Sequence, residues 1–84
     1  MTYDKYDVYF KILDAMFNSD DELGRCKRED IKKKVSVSTY MFNKCFHELH
    51  ECKFIFEMHW RWNILDKGIE LHDALLEIRR LMKV

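Results

Sequence analysis

CFHELHEC, residues 45–52, sets two cysteines and two histidines, all of types that bind zinc, within eight residues: Cys45, His47, His50 and Cys52. Thiolates and imidazoles are the usual donors of tetrahedral structural zinc sites, so metal binding is the first chemistry the stretch offers. On a helix the spacing argues against it. At about 100° per residue, Cys52 falls within about 20° of Cys45, whereas His47 and His50 lie roughly 140–200° away. Donors on opposite sides of one cylinder cannot close around one ion, so no metal and no cofactor is assigned. The cysteines instead join Met41, Phe42, Phe46 and Leu49 on an apolar face, opposite Tyr40, Asn43, Lys44, His47, His50 and Glu51. The second face carries an amide, an ammonium, a phenol and imidazoles, groups that meet base edges and phosphates.

The elements around this segment follow from periodicity. Eighty-four residues with 48% hydrophobic and 14% aromatic content make one domain, residues 1–84, with material for a core. A chain of this size buries only about 60% of its unfolded surface, so oligomerisation would help it. A first helix over 3–17 carries Tyr6, Tyr9, Phe10, Leu13, Met16 and Phe17 on one face, with Val8, Ile12 and Ala15 on a smaller opposite one. NSDDELG is a polar loop, and Gly24 and Gly68 mark element boundaries. A second helix over 27–35 has Ile31 and Val35 as its core pair, and a third over 38–51 is capped by Ser38. Residues 54–65 alternate with period two and predict a hairpin turning near His59 to Arg61, with Trp60 and Trp62 expected in the core or packed on the hairpin rather than stacked on bases. A fourth helix over 67–83, with Asp66 as its cap, presents a stripe of Leu71, Leu75, Ile78 and Met82. The first and fourth helices are more apolar than one packed side requires, which predicts a homodimer through Val8, Ile12, Leu71, Leu75, Ile78 and Met82. The alternative is that the two helices wrap each other within one chain.

Formal net charge is zero, yet residues 25–44 hold seven basic residues (Arg25, Lys27, Arg28, Lys32, Lys33, Lys34, Lys44) against Glu29 and Asp30. A neutral protein with one strongly basic third can present a polyanion-facing surface; the competing reading is a solvated helix face. Three cysteines cannot all pair within the chain, which favours reduced, buried thiols. No apolar run approaches the ~20 residues of a membrane span, and the N-terminus lacks a signal-peptide layout, so a cytoplasmic protein with no membrane partner is expected.

The order is α-α-α-β-β-α, mainly α with a small β-hairpin (α+β), and residues 24–26 are a candidate short extra strand. REDIKKKVSVSTYMFNKCFHELHECKFI followed by WNILDKGIEL resembles the winged helix-turn-helix family over residues 25–72. Small archaeal and archaeal-virus regulators of MarR-like type share this size and layout; a viral protein would then sit in host cytoplasm. Where the family often has glycine, this chain has Ser36 and Lys53, which must tolerate φ > 0 or end their helices differently. The resemblance implies a DNA-binding transcription regulator with its third helix in the major groove of a palindromic double-stranded operator. Within that frame Asn43 suits adenine, Lys44 guanine or phosphate, and Tyr40 and His47 phosphates or thymine methyls. Ser38 and Thr39 suit a phosphate at the helix N-terminus; Arg28, Lys32 and Lys33 suit the backbone; His59 and Arg61 at the wing tip suit a flanking groove.

Three other readings compete. No glycine-rich phosphate loop, nucleophile elbow or carboxylate pair in a pocket-forming context is present, so no enzyme is expected. A winged-helix protein-interaction module without specific DNA binding fits the zero net charge. A redox sensor would need an exposed, low-pKa thiolate, whereas Cys45 and Cys52 are expected in the core and Cys26 is less constrained.

Overall fold

A computed structural model describes residues 5–18 and 26–82. Its elements are α1 (Lys5–Phe17), α2 (Arg28–Val35), α3 (Thr39–Glu51), β1 (Ile55–Met58), β2 (Arg61–Ile64) and α4 (Asp66–Met82), the expected order of a mainly helical α+β domain with a winged-helix-like layout. Gly24 and most of NSDDELG lie outside the described residues. Of the candidate extra strand only Cys26 is among the described residues, and it exchanges two backbone hydrogen bonds with Trp62 (3.0 and 2.8 Å).

The core is organised around α1, which packs against α2, α3, α4 and β2. Residues of both its apolar faces are therefore buried within the chain, Val8 and Ile12 as well as Tyr9, Phe10, Leu13 and Met16, while Tyr6 and Phe17 stay half exposed. Val8 and Ile12 are 0% exposed and have no surface to give a second copy, which corrects their assignment to a dimer interface. α4 is docked on α1 by chemistry the leucine stripe did not announce. His72, only 4% exposed, is stacked between the rings of Phe10 and Phe17 at 5.2 and 4.9 Å, and its Nε2 lies 3.0 Å from an Asp14 carboxylate oxygen. Arg79 pairs with Asp7 and covers the Phe10 ring. The inward side of α4 is thus Gly68, Leu71, His72 and Leu75, while Ile78 and Met82 stay exposed. Gly68 is not a boundary but part of the first turn of α4, and Asp66 opens the helix, where its carboxylate meets the positive end of the dipole.

The helix ends explain why two residues occupy glycine-like backbone. Ser36, closing α2, has φ 54° and Lys53, just past α3, has φ 62°. After Cys52 the chain makes the paired bonds of a Schellman ending, Lys53 N–H to His50 C=O and Phe54 N–H to Leu49 C=O, each 3.0 Å. Lys67 adds a cation there, donating to the Cys52 carbonyl at 3.1 Å and lying over Phe54. These bonds satisfy the terminal carbonyls of α3 and hold a non-glycine residue at φ > 0.

Cys45 is 0% exposed among Phe42, Phe46 and Leu49, as the helical period predicts, but Cys52 is exposed. Its angular position points inward; its axial position does not, because α3 ends there and the chain turns away. Burial, then the nearby Glu48 charge, pushes the Cys45 thiol up, away from the reactive thiolate. None of the three cysteines is in a disulfide, and Cys26 is also buried. A disulfide-exchange reagent added to native protein should label Cys52 quickly, and Cys26 and Cys45 only as the chain unfolds. Rapid titration of all three would contradict this packing.

Candidate nucleic-acid interface

The polar side of α3 begins at a well-formed cap. The Ser38 hydroxyl oxygen accepts from the Met41 N–H at 3.2 Å, and the Ser38 carbonyl accepts from the Phe42 N–H at 2.9 Å. Ser38 therefore uses one acceptor lone pair on the helix and keeps its O–H as a donor, beside exposed Thr39. Tyr40 is 75% exposed, and Asn43, Lys44 and His47 are exposed beyond it. Behind them Phe42, Phe46 and Leu49 are at most 2% exposed, so the polar groups stand on a rigid apolar floor. Tyr9 ties that floor to α1 by donating to Glu48 at 2.9 Å. Burial and this bond push the Tyr9 phenol well above its ordinary range.

α2 brings a second row. Ile31 and Val35 face inward, Lys32 is half-buried, and Lys33 and Lys34 are exposed. Glu29 and Asp30 stand in the first turn and the three lysines in the last, each matched to its end of the dipole. Arg28 behaves differently from the other cations. Its Nη2 donates to Asn43 Oδ1 at 2.6 Å, and its guanidinium lies 5.0 Å from the Phe46 ring centre and 5.7 Å from that of Phe42. It bridges α2 to α3 and fixes one face of the Asn43 amide, a pairing the two residues' separate assignments missed. The only sequence signal was a basic residue opening the helix that precedes α3.

His47 and His50 also find local partners. His47 Nε2 is 3.7 Å from a Glu51 oxygen along the helix, and His50 meets the edge of Trp62 at 5.1 Å. Among the described residues no three of His, Cys, Asp and Glu are grouped to hold a metal ion.

The hairpin pairs Ile55 with Ile64, Phe56 with Asn63, Glu57 with Trp62 and Met58 with Arg61. Ile55 and Trp62 face the core; Met58 and Arg61 share the outer face. Two residues turn the chain, His59 at φ 53° and Trp60 at φ 65°, the double positive φ of a type I′ turn. His59 is exposed and Arg61 half-buried at this tip. Trp62 is 8% exposed and meets Phe46 edge-on, but Trp60 is 86% exposed. Trp60 is corrected from core or hairpin packing to surface: the alternation continued through the turn on paper, while the turn itself carries the side chain away from both faces. A cleft of about 480 Å³ opens between the wing and the start of α2, lined by Lys27, Arg28, Glu29, Glu57, Trp60 and Trp62.

Comparison with family models, curated proteins and solved structures gave no match. Among the described residues, no helix is long and apolar enough to cross a membrane.

Proposed function

We propose that this chain is a winged helix-turn-helix transcription regulator, a cytoplasmic protein that reads double-stranded DNA with α3 in the major groove. The observation that carries the reading is the exposed row Tyr40, Asn43, Lys44 and His47 over a fully packed floor, with Arg28 of α2 bonded to Asn43 at its side. A rigid helix with a polar, partly basic outer face is what base-edge and phosphate contact require. A second copy would pair through the end of α4, where Ile78, Leu81 and Met82 are 54–74% exposed. Leu71 flanks that surface; Leu75, at 8% exposure, gives it little. Two recognition helices about 34–36 Å apart would read a palindrome.

In-vitro selection of duplexes bound by the purified protein tests both parts. A short two-fold-symmetric motif is expected. Binding no better than to a polyanion competitor, with a flat salt dependence, would defeat the DNA reading. Lys33→Ala should weaken all duplexes alike and reduce the salt slope by about 1.

A protein-docking role is the second reading, favoured by the zero net charge and the apolar end of α4. It predicts unchanged, weak heparin retention when Lys32, Lys33 and Lys34 are replaced by alanine; the DNA reading predicts that retention falls.

A further inference from the structure

The exposed row on α3 has two edges, and a side chain from another helix holds each. Helical geometry sets His47 about 40°, Tyr40 about 60° and Lys44 about 100° round the cylinder from Asn43. Asn43, at one edge, accepts from Arg28 of α2 at 2.6 Å. Glu48 lies just past Lys44, about 140° round from Asn43, where the row gives way to the core. It is half-buried, and its Oε2 accepts from the Tyr9 O–H of α1 at 2.9 Å. The two bonds therefore straddle the row.

Glu48 is an odd occupant of that edge. Its Oε1 is buried and finds no hydrogen-bond partner among the described residues, and its one donor, Tyr9, is itself buried. A buried carboxylate oxygen without a partner destabilises the fold, and an apolar side chain of similar length would fill the place without that penalty. What an apolar side chain lacks is direction. Phe42, Phe46 and Leu49 hold α3 by burial, which is non-directional and tolerates a roll of the helix. A hydrogen bond does not, because it weakens steeply with distance and angle. A roll of about 20° moves groups at the helix's outer radius of ~5–6 Å by about 2 Å, enough to break a base contact. One bond at one edge leaves a pivot; a bond at each edge removes it. α1 suits the part of reference frame, because α4 is docked on the same helix through Phe10, Asp14 and His72.

Resting on the DNA reading above, we propose that Tyr9 and Glu48 are positioning residues, whose hydrogen bond fixes the roll of α3 and thereby its discrimination between sequences, without either touching a base.

The test uses the full chain, the duplex obtained by in-vitro selection and single-base-pair variants of it under α3. Discrimination is the ratio of the affinities for the two, so a uniform change in charge cancels. Thermal unfolding is followed beside it. Tyr9→Phe removes the donor: discrimination should fall roughly tenfold, the low end of one bidentate base contact, and the melting temperature should fall with it. Glu48→Gln loses the charge but keeps a carbonyl to accept from Tyr9, so discrimination should stay near the parent's whatever the melting temperature does. The double variant Tyr9→Phe with Glu48→Met replaces the pair by apolar groups of similar size. Its melting temperature should return to the parent's or above, while its discrimination stays down. A merely structural pair would not separate the two readouts. Recovery of discrimination together with stability in the double variant, or a loss in Glu48→Gln as large as in Tyr9→Phe, overturns the positioning role and leaves the DNA reading standing. Selection that yields no duplex preferred over a polyanion competitor removes both.

Discussion

Replacing Gly68 with alanine is expected to lower the melting temperature by roughly 5–15 °C. In an exposed helix the same change would help, since alanine is about 1 kcal/mol more favourable than glycine. Here an added Cβ would stand 2.2 Å from the Phe54 carbonyl oxygen and 2.7 Å from Ile64 Cγ1. The isoleucine can rotate, but the carbonyl cannot easily retreat. It already accepts from the Leu65 N–H at 2.9 Å, and its residue completes the Schellman ending of α3. Relieving the clash means moving α4 off the base of the hairpin, and overpacking of this kind costs about 1–3 kcal/mol or more. The clash outweighs the propensity gain, so the net sign is destabilising, and a domain of this size has only about 5–15 kcal/mol to lose. Thermal unfolding of Gly68→Ala beside Ala74→Gly, an exposed site on the same helix, separates the two effects. A variant as stable as the parent would mean that α4 does not approach Phe54 this closely.

Gly68 also shows where sequence reasoning stops. Period identifies a helix and its apolar side, and so all four helices and the hairpin were legible, as was the division of CFHELHEC between two faces. Period does not say what an apolar face packs against. The second face of α1 was read as a surface for another copy, yet α1 is the central helix and its neighbours in the same chain fill both sides. Nor does it register contacts made by polar residues or by the absence of a side chain. Gly68, His72, Leu75 and Arg79 follow one another at four-, three- and four-residue intervals along the inward side of α4, but only the leucine is a conventional core residue. His72 becomes one because Phe10 and Phe17 enclose its ring and Asp14 meets its nitrogen, three partners from a helix more than 50 residues away in sequence. The ends of elements were the other blind spot. Cys52 and Trp60 were assigned faces by extrapolating a helix and a strand past the points where the chain turns. The exposed row on α3 was legible because it lies mid-helix, where extrapolation holds.

The Arg28–Asn43 bond makes the sharpest prediction about that row. As an independent phosphate contact, Arg28 would contribute the same affinity to every duplex, and its loss would add to that of Asn43. As the group that orients the Asn43 amide, it acts through Asn43. An asparagine carboxamide reads adenine by accepting from N6 and donating to N7 at once, which requires the amide plane to lie in the plane of the base. Arg28 takes one lone pair of Oδ1, leaves the second for N6, and fixes which edge carries the N–H groups. On a selected duplex, Asn43→Ala should cost about 10- to 100-fold in affinity, the worth of one bidentate base contact. Arg28→Ala should lose most of the same discrimination between matched and mismatched bases at that position. The double variant should be little worse than Asn43→Ala alone, a coupling of about 1 kcal/mol or more. Arg28→Lys separates charge from geometry: it keeps the salt slope but lacks the planar fork, so discrimination should fall while binding to unrelated duplexes holds. Additive losses, with the salt slope dropping by about 1 in Arg28→Ala and retained in Arg28→Lys, would return Arg28 to the phosphate backbone and leave Asn43 to orient itself.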